Sequence, residues 1–173
     1  MLLFLSACQS VSPDASTHEA HSATEPASVP YDALFLDSMI LHHQGAVEMA
    51  RQALEQAEHP ELRALAEAIL AAQEAEIAQM RAWREAWYPD LPATEGLHIH
   101  MGPMEVEADA SRPYDLRFIE AMIPHHEGAI AMAQDALQKA EHAELRDLAQ
   151  AIIVAQQEEI EQMERWRMEW YGK

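Results

Sequence analysis

From Tyr31 onward, apolar positions recur at alternating spacings of four and three. One series runs Leu62, Ala66, Ile69, Gln73, Glu76, Met80, Trp83, Trp87, and a second runs Leu145, Ala149, Ile152, Gln156, Glu159, Met163, Trp166, Trp170. The stretches before them carry Phe35, Met39, His42, Ala46, Met49 and Phe118, Met122, His125, Ala129, Met132. Such spacing draws one stripe down an α-helix and makes the inward seam of a left-handed bundle. No stretch shows the two-residue alternation of a strand. The pattern predicts helices over about 32–58, 61–87, 115–141 and 144–170, with Asp32 and Asp115 as N-caps. A break falls at His59-Pro60, where proline suits a first helical turn, and at His142-Ala143. Residues 89–113 hold Pro89, Pro92, Gly96, Gly102, Pro103 and Pro113 and read as a connection.

The two halves are copies. Tyr31–Tyr88 aligns without a gap to Tyr114–Tyr171, offset by 83 residues, with 33 of 58 positions identical. A duplication of this size fixes the architecture. Each copy is a helical hairpin with one apolar stripe per helix, and two hairpins bury those stripes as an all-α four-helix bundle with pseudo-two-fold symmetry. The expected organisation is a signal ending at residue 8, a tether over 9–30, and one bundle over 31–173.

Composition narrows the function. The formal net charge is −19 with His neutral, which repels nucleic acid and anionic lipid surfaces and attracts cations. Cys8 is the one cysteine, so no internal disulfide forms. The N-terminal string Met1-Leu2-Leu3-Phe4-Leu5-Ser6-Ala7-Cys8 resembles the lipobox of bacterial lipoprotein signal peptides, although it has no charged n-region and a short apolar run. That resemblance implies cleavage before Cys8, acylation of it and a cell-envelope location facing the periplasm or exterior. The Ser-, Thr-, Pro- and Glu-rich stretch 9–30 has no apolar period and reads as a tether.

Polar residues interrupt the seams where a plain core would carry Leu. His42, Gln73 and Glu76 do so in the first copy, and His125, Gln156 and Glu159 in the second. An unpaired buried carboxylate or imidazole costs several kcal/mol (about 2–7 for a polar group, more for a charge), so the same exception written twice suggests a use. Antiparallel helices rise equally from the turn near residue 59, which puts His42 opposite Glu76 and Met39 opposite Met80. In the second copy His125 faces Glu159 and Met122 faces Met163, and symmetry could join the two sets. His43 and His126 follow immediately, with Met39 and Met122 one turn before them on the same face.

Thioether sulfur and imidazole nitrogen suit Cu(I), and imidazole also suits Cu(II) and Zn(II). A carboxylate behind an imidazole is the usual orienting partner of a metal-bound His. The candidate metal residues are therefore Met39, His42, His43, Glu76, Met80, Met122, His125, His126, Glu159 and Met163. One of each His pair could point away from the core. Met49 and Met132 read first as core filler and are secondary candidates. So are His98, His100, Met101 and Met104, which place soft donors in a linker with Gly102 and Pro103. His18 and His21 in the tether are weaker signals. His59 and His142 at the turns read as helix caps, and the four tryptophans as closure of the bundle ends. Pro124 replaces Leu41 just before His125; inside a helix it removes one hydrogen bond and bends the chain, so the two copies need not be identical.

The string Met-Ile-x-His-His-x-Gly-Ala-x-x-Met-Ala, followed by Gln-x-x-Glu-Ile-x-x-Met, occurs at Met39–Ala50 with Gln73–Met80 and at Met122–Ala133 with Gln156–Met163. It resembles domain-of-unknown-function family 305 over both repeats. The resemblance implies a ferritin-like four-helix bundle and kinship with exported bacterial proteins tied to copper binding and tolerance. Met101 and Met104 match the Met-rich linkers of that family.

Three functions follow as expectations. The first is a non-enzymatic protein that sequesters, buffers or transfers copper in the cell envelope, held to the membrane at Cys8, with a copper-transfer protein as a further partner and Zn or Fe as lesser cargo. The second is a bundle that serves structure or partner binding, its polar layer a device for packing specificity. The third is a di-iron oxidase, which needs Glu-x-x-His on two helices, whereas the one such spacing here, Glu95 to His98, falls in the linker. No Ser/His/Asp set, nucleophilic cysteine or phosphate loop supports other catalysis.

Overall fold

The computed structural model describes residues 28–97 and 101–173. The expectations on Cys8, the signal, His18, His21, His98 and His100 lie outside those residues. Among the described residues there are four helices: α1 (Tyr31–Gln56), α2 (Pro60–Trp87), α3 (Tyr114–Lys139) and α4 (Ala143–Tyr171). Each expected helix is found within about two residues at either end. Pro124 sits inside α3 without ending it. Among the described residues no helix is long and apolar enough to cross a membrane.

The caps differ from expectation. Pro30 and Pro113 occupy the N-cap positions of α1 and α3. Asp32 and Asp115 lie in the first turns, almost fully buried, and each serves the other hairpin. Asp32 accepts the backbone N–H groups of Glu141 and His142, both at 3.0 Å, and the ring Nδ1–H of His142 at 2.6 Å. Asp115 accepts the N–H groups of Glu58 and His59 at 3.0 and 2.9 Å and the ring Nδ1–H of His59 at 2.7 Å. Free N–H groups at a helix start demand an acceptor, and a carboxylate also opposes the positive helix end. His59 and His142 hold the N-cap positions of α2 and α4, but their side chains make no capping bond. These exchanged contacts join the start of α1 to the end of α3 and the start of α3 to the end of α1, so the two helices run antiparallel.

The core follows the same exchange. One cluster unites Met49, Leu62 and Ile69 near the first turn with Phe118, Met122, Met163 and Trp166. The other unites Phe35, Met39 and Met80 with Met132, Leu145 and Ile152 near the second turn. The hairpins meet through α1 against α3. Fully buried Ala46, Ala50, Ala53, Ala129, Ala133 and Ala136 line these helices, and small side chains permit close approach.

The linker is a strap laid across this contact. Arg84 donates to Asp37 at 3.0 Å and to the carbonyls of Tyr88, Leu91 and Pro92 at 2.8, 3.1 and 2.8 Å. Asp37 accepts the Thr94 N–H at 2.8 Å and Ser38 Oγ the Leu97 N–H at 2.6 Å. The strap then reaches α3 at Gly102, whose φ is +70° and where a Cβ would stand 2.4 Å from the Pro124 carbonyl oxygen. Only glycine fits both constraints.

Replacing Asp32 or Asp115 with Ala strips a buried acceptor from two N–H groups and an imidazole. Each substitution is expected to cost about 2–4 kcal/mol in urea unfolding, with Asn retaining part of it. A loss under about 0.5 kcal/mol, the size of an ordinary surface change, would contradict the clasp.

Candidate metal centre

All four histidines of the two His-His pairs are fully buried, so neither pair has a ring turned to solvent. The inner two meet across the α1–α3 contact. The rings of His42 and His125 stack with centroids 3.7 Å apart and planes at 28°. His42 Nε2 donates to the Met101 carbonyl at 3.0 Å, and His125 Nδ1 donates to the Pro103 carbonyl at 2.6 Å. A carbonyl oxygen only accepts, so these bonds fix which ring nitrogen carries the proton. His42 Nδ1 and His125 Nε2 are left as buried lone pairs with no protein partner. Burial pushes the His42 pKa down to about 2, helped by His125 and His43 beside it. Burial likewise pushes His125 down to about 4. Both rings are neutral at pH 7.

The outer pair corrects the expected register. His43, not His42, meets Glu76, with Nε2 2.7 Å from Oε2. His126, not His125, meets Glu159, with Nε2 2.6 Å from Oε2 but without hydrogen-bond angles. The reason is helical: successive residues point about 100° apart. The face bearing Met39 and His43 turns to α2, and the face bearing His42 turns to α3. Glu76 and Glu159 are not seam positions either. Their side chains are 22% and 19% exposed, while the adjacent Ile77 and Ile160 are buried.

With that correction the layers assemble. Met39 and His43 share one face of α1, Glu76 and Met80 share one face of α2, and the His43–Glu76 contact joins them. Met122, His126, Glu159 and Met163 repeat the set. Met39 and Met80 share their core cluster with Met132, and Met122 and Met163 share theirs with Met49. All six methionines are fully buried. The two sets do not merge, as symmetry had suggested they could. They occupy separate clusters.

Because the carboxylates face Nε2, the Nδ1 atoms of His43 and His126 are the remaining ring positions, buried and without a partner. Among the described residues no three His, Cys, Asp or Glu side chains form a cation-holding group. Each carboxylate contacts its ring at Nε2, and the buried Met39 and Met122 lie one turn from His43 and His126 on the same helix faces.

Of the linker candidates, the strap brings Met101 and Met104 to the histidines. Met101 packs against the cluster of Met39 and Met80. The Met104 sulfur lies 3.2 Å, and His125 Cε1 3.3 Å, from where a Cβ on Gly45 would stand. The glycine of the His-His-x-Gly motif thus makes room for a thioether beside His125. Sequence reasoning did not find the Met101 and Pro103 carbonyls, since nothing marks a backbone acceptor, nor the Arg84–Asp37 clamp. The clamp did leave a trace, because the second copy has Glu120 at the position of Asp37 while Arg167 repeats Arg84.

A duplicated helical hairpin with four buried imidazoles and six buried methionines defines a helical-bundle protein with a soft-donor interior. Residues 32–167 match the family described as domain of unknown function (DUF305), and the chain belongs to that family. It is similar to the solved structure described as CopM in the Cu(I)-bound form, with 38% identity over 81% of this chain and 97% of that one and a TM-score of 0.70. Against CopM in the Cu(II)-bound form the identity is 40%, with the same coverage and TM-score. A DUF305 fragment from Deinococcus radiodurans is 29% identical over 80% of this chain and 96% of its own, with a TM-score of 0.66. No curated protein matches the chain.

The buried neutral rings make stability depend on pH. Their folded pKa values, about 2 and about 4, lie below the unfolded histidine value, so the unfolded chain takes up protons that the folded one refuses. Stability is full above about pH 6.5 and falls on acidification until those folded values are passed, with each ring costing about 2 kcal/mol at pH 5. Urea midpoints of the apo protein between pH 7.5 and 5 measure this, and a flat profile would contradict it.

Proposed function

We propose that this protein binds copper, Cu(I) foremost, in its two Met/His layers, and that it buffers the metal or hands it to another protein in the cell envelope. What carries this reading is the buried Nδ1 of His43 and of His126, which has no protein hydrogen-bond partner, with the buried Met39 and Met122 one turn away on the same helix faces. A buried ring nitrogen without a protein hydrogen-bond partner is costly. A monovalent soft cation satisfies it and also accepts thioether sulfur. In the first layer Met39, Met80 and His43 are the ligands, with Met132 adjoining; in the second they are Met122, Met163 and His126, with Met49 adjoining. Glu76 and Glu159 orient the rings through Nε2 rather than ligate. His42, His125, Met101 and Met104 form a further soft-donor set beneath the strap. CopM, solved with Cu(I), Cu(II) and Ag bound, supports the metal class.

Envelope placement rests on the lipobox-like string ending at Cys8 and the tether behind it, which would hold the bundle at a membrane surface. Storage and transfer, rather than turnover, suit a site whose donors come from packed helices.

A competitive Cu(I) titration under anaerobic conditions tests the reading. The parent is expected to bind two ions tightly. Met39→Leu with His43→Leu removes one, and adding Met122→Leu with His126→Leu removes both. Glu76→Gln keeps the ligands and is expected to weaken its site about 10–100-fold. Binding that survives all four leucines would move the metal to the strap, and a parent that binds no Cu(I) would overturn the proposal.

A further inference from the structure

Each end of the bundle carries a stack of electron-rich rings that starts at a thioether layer and reaches the surface. Trp83 lies one turn beyond Met80 on α2 and stacks on Trp87, with ring centroids 5.2 Å apart and planes at 10°. Trp87 lies flat on His142 at 3.7 Å and 4°, and Tyr88 stands edge-on to the same imidazole at 6.2 Å. Met39 and Met80 belong to the cluster on which Trp83, Trp87 and Tyr88 pack. The second copy repeats this. Trp166 stacks on Trp170 at 5.0 Å, Trp170 lies on His59 at 3.8 Å and 2°, and Tyr171 stands edge-on to His59 at 6.4 Å. Met122 and Met163 share the cluster of Trp166, with Trp170 and Tyr171 packed against it. The chain has four tryptophans, and these stacks use all of them.

Closing a bundle end requires only apolar bulk, which Leu supplies. Here the outer imidazole is also held parallel to the indole by a bond from its Nδ1 to a buried carboxylate. Indole and phenol rings in contact with one another and with thioethers give up single electrons in sequence over contact distances.

We propose that these stacks lead oxidising equivalents out of the methionine layers to the bundle surface and so protect the thioethers. The proposal rests on the copper reading, because Cu(I) meeting peroxide is the oxidant it needs. One hydrogen peroxide takes one electron from Cu(I), one electron and one proton from an indole N–H, and one proton from solvent. The products are Cu(II), a neutral tryptophan radical and two waters. The radical passes outward when the next indole or the terminal tyrosine gives up one electron and its N–H or O–H proton to solvent while the oxidised indole takes up one electron and one proton, and a one-electron, one-proton reductant such as ascorbate restores the last ring. Without the stack the second oxidising equivalent falls on sulfur, and a sulfoxide converts an apolar core side chain into a polar one.

The test loads the protein with Cu(I), adds substoichiometric hydrogen peroxide and maps oxygen by peptide mass spectrometry. A freeze-quenched sample is examined by electron paramagnetic resonance. The parent should show a tryptophan or tyrosine radical and little sulfoxide at Met39, Met80, Met122 and Met163. A W83F/W87F/W166F/W170F variant, which keeps stacked rings, should lose the tryptophan signal and gain sulfoxide several-fold. Equal sulfoxide in both proteins would overturn the proposal. A second measurement needs no copper. Trp166 is 9% exposed, shielded from a bulky photogenerated ruthenium(III) oxidant, so its oxidation products in the apo protein should depend on Trp170 and fall several-fold in Trp170→Phe. Unchanged Trp166 products would overturn the path itself, whereas a parent that binds no Cu(I) but shows this dependence would fail only the copper reading.

Discussion

Four imidazoles buried where two helices cross set the terms for the rest of the structure. A buried polar ring needs an acceptor for its N–H. The protein supplies those acceptors from outside the α1–α3 pair. Glu76 from α2 serves His43, Glu159 from α4 stands against His126 without hydrogen-bond angles, and the strap's Met101 and Pro103 carbonyls serve the inner rings. Each solution constrains other residues. The strap can touch the helices only because Gly102 and Gly45 lack side chains, and its first turn is held by Arg84 and Asp37. His42, His43 and His125 each keep one buried ring nitrogen without a protein hydrogen-bond partner and His126 keeps both, and those nitrogens are the chemistry the fold presents.

The exchanged Asp clasps give this arrangement its rigidity. Asp32 and Asp115 each tie the start of one hairpin to the turn of the other, so the crossing angle of α1 and α3 is fixed at both ends. A hairpin alone would leave its aspartate and its turn unpartnered. The duplication is therefore functional in the physical sense, since neither copy is complete without the other. The copies also differ where the strap passes, and only α3 carries a proline beside its inner histidine.

Much of this was legible in the sequence. The spacing of apolar residues and the 83-residue offset gave the helices, hairpins and pseudo-symmetry. The Met39–Met80 and Met122–Met163 pairings followed from counting back to the turn. What failed did so for identifiable reasons. The count resolved level but not azimuth, so His42 was set against Glu76 when its neighbour His43 takes that place. Asp32 looked like a local cap because capping is usually local, whereas here the demand for an acceptor comes from the other hairpin. The strap's carbonyls left no mark at all, because every residue carries one.

Anomalous diffraction from crystals soaked in Ag(I), a redox-silent stand-in for Cu(I), tests the central claim most directly. Two peaks related by the pseudo-two-fold axis are expected, one within bonding distance of His43 Nδ1 and the Met39 and Met80 sulfurs, the other at His126, Met122 and Met163. Peaks confined to surface carboxylates, with both methionine layers empty, would contradict it.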